Sequence, residues 1–291
     1  MLLKNRWNQL AVFLFILGVN MIFFNLFAWG TAALFWESIS LANLTPAAAR
    51  YINSVSAIGT FGLTALIYAF IINNRKPFSY LKMNTCIQWR EVLLIVLLFG
   101  ISMPALGWII KWNEGLHLPQ FFSSAEQWMR KQEDLATYLT KQMLSDTSIF
   151  ALFASLFAMA VVPAICEELL FRGALLSWLK DGFKNKHLAV WLSAFIFSAI
   201  HVQFFGFFPR LLLGVYLGYL FIWTGSLWVP IIAHFLNNAV TVIAAYLFNM
   251  GYINTDYEQF GDVGEKSWII LLSALITALL VWNFWKNRRK E

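Results

Sequence analysis

Long apolar runs recur from one end of the 291-residue chain to the other, and they constrain its fold more than any other feature. A helix needs about 20 predominantly apolar residues to cross a bilayer. Eight runs meet or approach that length: Gln9 to Trp36, Ile52 to Asn73, Glu91 to Ile110, Thr147 to Leu179, Leu188 to Phe205, Leu211 to Trp223, Leu227 to Phe248 and Trp268 to Trp285. We therefore predict an all-α fold, a polytopic bundle of about eight transmembrane helices.

The composition excludes a water-soluble protein. Hydrophobic residues make up 60% of the chain and charged residues only 12%, whereas soluble domains are about 25% charged. No segment between the apolar runs is long enough to bury a core of its own, so residues 1–291 are predicted to form a single integral membrane domain in contact with the lipid bilayer.

Loop charges predict the orientation, because Lys and Arg accumulate in cytoplasmic loops. With eight spans, one side receives Lys4, Arg6, Arg75, Lys76, Lys82, Arg90, Lys180, Lys184, Lys186, Lys286, Arg288, Arg289 and Lys290. The other side receives Glu126, Glu133, Asp134, Asp256, Glu258, Asp262 and Glu265. Both termini are therefore predicted to be cytoplasmic. The net charge of +6 comes from basic residues in these short loops, where they act as topology signals. We therefore predict no nucleic-acid partner.

The loop 111–146 on the acidic side contains a predicted interfacial helix. It begins with a capping-box pattern from Ser123 to Glu126, and Trp128, Leu135 and Leu139 are spaced along one face. Both a lid and a plain surface helix fit this pattern.

Three charged residues interrupt the fourth apolar run, where each costs at least about 2.5–3.5 kcal/mol to insert. Glu168 and Arg172 are four residues apart and can form a bidentate pair on one helix face, whereas Glu167 points about 100° away. Pro163, one turn earlier, cannot donate to the Met159 carbonyl, so the helix is predicted to bend or open there and admit water.

Further polar residues lie in other apolar runs. His201 is in the fifth run, and His234 and Asn238 are four residues apart in the seventh. Counted from the cytoplasmic ends, Glu167, His201 and Asn238 each lie about a dozen residues deep, or roughly 18–20 Å, and His234 lies about one turn shallower. These four side chains are predicted to meet at a common level.

Such a cluster can support two kinds of hydrolysis. A carboxylate and an imidazole in a partly desolvated cavity can activate water, while a second imidazole and an amide donate hydrogen bonds to an oxyanion. Alternatively, Glu167, His201 and His234 can bind a divalent metal such as zinc, with water in the open position. A structural alternative is that these residues are polar ties between helices.

The motifs around these residues resemble those of the CPBP or Abi family of intramembrane proteases, which includes the type II CAAX prenyl endopeptidases and bacteriocin-processing proteins. EExxxR matches Glu167, Glu168 and Arg172; FxxxH matches Phe197 and His201; HxxxN matches His234 and Asn238. The three motifs occur in order between residues 161 and 238, which we take as the protease-family core.

The resemblance implies roles for these residues. Glu167 and His201 would activate the attacking water, His234 and Asn238 would stabilise the oxyanion, and Glu168 and Arg172 would support the site. Eukaryotic-type members cleave the tripeptide after a prenylated cysteine, while many bacterial members are associated with bacteriocin immunity or processing. The resemblance also places the chain in a bacterial inner, or plasma, membrane.

The predicted function is therefore an intramembrane endopeptidase that admits a membrane-associated peptide or protein, prenylated or lipid-embedded, to a cavity open toward the cytoplasmic leaflet. One rival is a non-catalytic membrane scaffold or bacteriocin-immunity factor of the same fold. A second rival is a proton-coupled transporter, because acidic and histidine residues within membranes also relay protons.

Overall fold

Helices account for all the regular secondary structure in the described parts of the chain, so the predicted all-α fold class is confirmed. The computed structural model describes residues 5–36, 39–73, 75–254, 261, 263–264 and 266–288. Several residues used above for topology lie outside the described residues: Lys4, Asp256, Glu258, Asp262, Glu265, Arg289 and Lys290.

Within these ranges, the helices are α1 Arg6–Phe35, α2 Pro46–Ile72, α3 Pro77–Tyr80, α4 Trp89–Glu114, α5 Ser123–Leu144, α6 Ile149–Phe183, α7 Lys186–Ala199, α8 Phe207–Thr224, α9 Trp228–Asn249 and α10 Ser267–Arg288. Helices α2 and α6 are α-helical except for π-helical segments within them. Short 3₁₀ turns cover Leu41–Asn43, Gln120–Phe122 and Phe204–Gly206.

Seven helices in the described part of the chain are long and apolar enough to cross a membrane, rather than eight. They are α1, α2, α4, α6, α8 together with its preceding 3₁₀ turn, α9 and α10. The predicted fifth span, Leu188 to Phe205, corresponds to α7, whose 14 residues extend about 21 Å. Helix α7 ends at Ala199 because the chain turns through Ile200 to Val202, where Val202 has a φ of 55°.

Contacts between helix ends define two faces of the bundle. The indole of Trp228 donates to the Met83 carbonyl at 2.8 Å, and Arg6 donates to the Trp178 carbonyl. The Trp223 and Phe284 rings lie 5.9 Å apart. These contacts gather the start of α1, the end of α6 and the end of α10 at one face, which we call the terminal face.

Helix α5 lies on the opposite face. There the Asn249 side chain at the end of α9 donates to the Leu144 carbonyl at 2.9 Å, and Arg50 at the start of α2 donates to the Met143 carbonyl at 2.9 Å. Leu139 packs against the cluster of buried residues that joins α1 and α2. The predicted helix in the 111–146 loop is thus present and is docked on the bundle.

The predicted capping box at the start of α5 is wrong. Ser123 already has helical backbone angles, and Glu126 turns instead toward charged and backbone donors. Its carboxylate accepts from Arg130 at 2.8 Å and from the Leu118 amide at 2.9 Å. The hydrogen bonds from Arg130, Leu118 and His117 lower the pKa of Glu126 to about 2.

Helices α7 and α8 pack unusually closely, as the small-residue spacing of Gly214 and Gly218 indicates. A Cβ atom at Gly214 would lie 3.0 Å from the Ala194 Cβ, and one at Gly218 would lie 3.0 Å from a Val190 methyl group. The close approach brings the backbone of α8 within reach of side chains from α6.

Candidate active site

Helix α6 carries the two glutamates on a short regular segment between two wider turns. Residues Val162–Glu168 are α-helical, whereas Phe157–Val161 and Leu169–Leu176 are π-helical. The first wide turn ends two residues before Pro163, which has no N–H to donate as a regular helix requires. This irregularity matches the predicted opening near Pro163, and both Met159 and Pro163 line the cavity described below.

Glu168 and Arg172 form a buried ion pair, as predicted. Arg172 Nη1 lies 2.7 Å from Glu168 Oε1, and both side chains are at most 1% exposed. The pair is not bidentate, because Arg172 Nη2 donates instead to the Gly214 carbonyl at 3.1 Å. The guanidinium also lies 4.6 Å from the centre of the Phe197 ring. Glu168 Oε2 has no hydrogen-bond partner among the described residues.

His234 links this ion pair to the second glutamate. Its Nδ1 lies 2.9 Å from Glu168 Oε1, and its Nε2 lies 3.9 Å from Glu167 Oε2. A chain of polar contacts thus runs from Arg172 through Glu168 and His234 to Glu167. The sequence reasoning missed the bond between Glu168 and His234, because the two residues are 66 positions apart and no spacing rule connects separate helices.

His201 lies in the turn after α7, where its tautomer is fixed by the backbone. Its Nδ1 is 2.8 Å from the Phe197 carbonyl oxygen, which can only accept a hydrogen bond. Neutral His201 therefore carries its proton on Nδ1 and has a lone pair on Nε2, as a general base requires. The next residue, Val202, is β-branched and has a positive φ, a conformation that costs about 1–3 kcal/mol.

Two adjacent amides complete the polar wall on α9. The Asn237 Nδ2 group donates to Asn238 Oδ1 at 3.1 Å, which leaves the Asn238 N–H groups available as donors. Asn238 was predicted from its depth in the span and its spacing from His234, whereas Asn237 was not singled out.

One cavity of about 950 Å³ brings the predicted catalytic residues together. Glu167, His201, His234 and Asn238 all line it, whereas Glu168 and Arg172 lie behind its wall. Further polar lining comes from Asn53, Glu133, Gln203, Arg210 and Asn237. Much of the remaining wall is apolar and is formed by α4, α8, α9 and α10. The four predicted catalytic side chains therefore share one space, as their matched depths indicated.

The cavity extends between the two faces of the bundle. Trp223 lines it near the terminal face, and Glu133 of α5 lines it on the opposite face. Burial raises the pKa of Glu133, although the Phe205 amide and the charge of Arg210 act in the other direction. An opening toward the cytoplasmic leaflet stays a prediction.

The alternative in which Glu167, His201 and His234 bind a divalent metal stays a prediction. Among the described residues, no group of three or more His, Cys, Asp and Glu side chains is placed to hold a metal ion. His201 and His234 each use one ring nitrogen in a hydrogen bond, to Phe197 and Glu168 respectively. Because metal-ligating histidines also hydrogen-bond through their second ring nitrogen, these two bonds are compatible with water activation by a metal or by the side chains alone.

The site lies within a segment that matches a known protein family. Residues 149–240 match the family model of type II CAAX prenyl endopeptidase Rce1-like proteins. This Rce1-like segment contains all seven residues of the three motifs, and it is consistent with the CPBP/Abi resemblance predicted from them. The match supports a CAAX-type intramembrane protease fold for residues 149–240.

A curated relative matches over a shorter stretch. The chain is 33% identical over 86 residues to a Bacillus subtilis (strain 168) protein called "Uncharacterized protein YpbD". The match covers 28% of this chain and 41% of that protein, so the chain spans less than half the length of its relative. No solved structure matches the chain.

Proposed function

We propose that the chain is an intramembrane endopeptidase that hydrolyses a peptide bond of a membrane-associated protein or peptide. The observation that supports this most strongly is the convergence of Glu167, His201, His234 and Asn238 on one cavity inside an apolar helical bundle. Ionisable groups are expensive within a membrane and usually serve a function there.

In the proposed reaction, a water molecule binds between the Glu167 carboxylate and His201 Nε2. These groups accept a proton as the water oxygen attacks the scissile carbonyl carbon. The proton then passes to the leaving nitrogen as the C–N bond breaks, which yields a new carboxyl terminus and a new amino terminus.

The oxyanion of the tetrahedral intermediate is stabilised from α9. Asn238 donates from its side-chain amide, whose oxygen is already occupied by Asn237. His234, when protonated on both nitrogens, donates from Nε2 while its Nδ1 keeps the bond to Glu168. Arg172 supports this arrangement because it balances the charge of Glu168. Fixed donors of this kind need little reorganisation during the reaction.

We propose that Glu167 and His201 activate the water directly. The support is the geometry of the donors, since the described His and acidic side chains do not converge as a metal-ligand set. In this proposal no step of the reaction requires a metal ion.

The substrate is proposed to approach from the lipid. The apolar wall of the cavity suits a hydrophobic segment or a lipid modification such as a prenyl group, and the polar wall suits a peptide backbone. The membrane is proposed to be the plasma membrane of a bacterium, in keeping with the Bacillus subtilis relative.

The terminal face is proposed to be cytoplasmic, because the basic residues Arg6, Lys82 and Lys180 belong to loops and helix ends on that side. The exposed thiol of Cys86 lies in the connection before α4 on the same side. A membrane-impermeant thiol reagent should leave Cys86 unlabelled in intact cells and label it in inverted vesicles. Labelling in intact cells alone would reverse the orientation.

The experiment that tests the function compares protein termini in membranes from cells that produce wild-type protein or the Glu167→Ala variant at equal levels. We expect new amino and carboxyl termini, within or next to membrane segments, that appear only with the wild type. These termini would also identify the substrate. If the two proteomes were identical while the variant retained the biological effect of the wild type, a scaffold or immunity factor would replace the protease.

A further inference from the structure

The loop that contains His201 is held in place by residues that do not belong to the proposed catalytic set. Residues 200–206, which we call the His201 loop, connect α7 to α8. Val202 adopts the left-handed region, which a β-branched residue enters only when its surroundings enforce it. His201 therefore owes its place at the cavity partly to contacts made further along this loop.

Helix α5 provides one set of these contacts. Glu133 Oε2 accepts from the Phe205 backbone amide at 3.3 Å, and Glu133 Oε1 accepts from Gln203 Nε2 at 3.5 Å. Two ring contacts flank this carboxylate. The Arg130 guanidinium lies 4.2 Å from the centre of the Phe205 ring, and the Trp128 and Phe204 rings lie 5.7 Å apart.

Helices α4 and α8 hold the loop from the other side. The buried Asn113 at the end of α4 donates to the Phe204 carbonyl at 3.2 Å and accepts from the Phe208 amide at 2.9 Å. Arg210 of α8 donates to Gln203 Oε1 at 2.7 Å. The Gln203 side chain is thus held at both ends, by Arg210 at its oxygen and by Glu133 at its nitrogen.

Glu133 differs from the other holding groups in its position. It belongs to a helix outside the membrane-spanning set, yet its side chain lines the same cavity as Glu167 and His201. Among the α5 residues that contact the His201 loop, Glu133 forms hydrogen bonds both to the loop backbone and to a loop side chain.

We propose that Glu133 is a positioning residue, which holds the His201 loop through Gln203 and Phe205 and thereby keeps His201 in place to activate water. This inference rests on the proposed function. It makes α5 part of the working enzyme rather than a plain surface helix, because a movement of α5 away from the bundle would release the His201 loop.

The test uses three variants of the full-length protein in lipid. Glu133→Ala removes both hydrogen bonds, and Glu133→Gln keeps the shape of the side chain but offers a single acceptor oxygen. Asp134→Ala removes an equal charge from the neighbouring, exposed position and serves as the matched control.

The first readout needs no substrate. Hydrogen–deuterium exchange of the peptide covering residues 200–206 should speed up in Glu133→Ala, because the Phe205 amide loses its acceptor, and should stay at the wild-type rate in Asp134→Ala. Unchanged exchange in Glu133→Ala would overturn the positioning role. If Glu133→Ala failed to fold, the same comparison with Glu133→Gln would decide the question.

The second readout is hydrolysis of a quenched fluorogenic peptide that carries a prenylated cysteine. A misplacement of about 1 Å can reduce a rate about 100-fold, so we expect kcat of Glu133→Ala to fall about 10- to 100-fold with little change in KM. A raised KM at unchanged kcat would overturn the proposal. If wild-type protein and His201→Ala were equally inactive, the proposed protease function would fail, while the exchange measurement would still decide whether Glu133 holds the loop.

Discussion

The Arg172→Met variant should lose about 3–5 kcal/mol of folding stability, because removal of one partner leaves a buried charge uncompensated. Glu168 is completely buried in the centre of α6, and Arg172 is its cationic partner within the same helix. Methionine replaces the apolar stem of the arginine and lacks only its guanidinium group, so the loss mainly reports that group with its charge and hydrogen bonds. The measurement is unfolding of the purified protein in detergent micelles or bicelles.

A matched double variant separates charge balance from packing. In Glu168→Gln/Arg172→Met, no charge remains at position 168 to be balanced, so this variant should be clearly more stable than Arg172→Met alone. The double variant should nevertheless be inactive or nearly so, because the neutral glutamine at position 168 forms a weaker hydrogen bond to His234 than the carboxylate does. If Arg172→Met were as stable as the wild type, the charge of Glu168 would be compensated without Arg172, and the prediction would be wrong.

The Glu167→Gln and His201→Ala variants should each lose about 10²- to 10⁴-fold in kcat, the range expected when a general base is removed. Both groups are proposed to act on one water molecule, so the double variant should be little worse than the poorer single variant. The rates are measured with purified protein in liposomes, on a substrate identified from the cellular termini or on the prenylated fluorogenic peptide.

Cys166→Ala is the control for these variants, because it alters the residue next to Glu167 without touching the proposed chemistry. Cys166 is buried, and its sulfur lies 3.0 Å from the position that a Cβ at Gly62 would occupy, so it serves packing between α6 and α2. This variant should retain a rate near that of wild type. A complete loss in Cys166→Ala with full activity in Glu167→Gln would point to a thiol nucleophile and contradict the proposal.

A chelator provides a second control on the mechanism. Because the described donors do not converge on a metal position, activity should persist in phenanthroline, and the purified protein should hold no stoichiometric zinc. Loss of activity in the chelator with recovery on zinc addition would restore the alternative in which Glu167, His201 and His234 bind a metal.

The membrane fold and the meeting of the polar residues could be predicted because both depend on distances that can be counted along the sequence. Apolar length determines whether a helix can span a bilayer, and depth along a span limits which polar residues can meet. The sequence therefore predicts that Glu167, His201, His234 and Asn238 meet, and in the structure all four line one cavity.

The errors and omissions concern departures from regular helices and contacts between separate helices. Apolar composition continues past Ala199, so it gave no sign that α7 stops there and that His201 lies in a turn. The wide turn before Pro163 was predicted from the proline, whereas the π-helical segment Leu169–Leu176 of α6 has no counterpart in the sequence pattern. The bonds of Glu168 to His234 and of Glu133 to the His201 loop join residues 66 to 72 positions apart, which only the folded arrangement reveals.

The most direct test of the central claim asks whether water reaches Glu167 and Asn238 inside the bilayer. Single cysteines at these positions, and at the lipid-exposed Ile22 of α1 as a control, are introduced into protein in which Cys86 and Cys166 have been replaced by alanine. Thiols react with water-soluble methanethiosulfonates as thiolates, which form only where water is present. We predict rapid labelling of Glu167→Cys and Asn238→Cys and none of Ile22→Cys; labelling of all three at the same negligible rate would show a dry site and contradict the account.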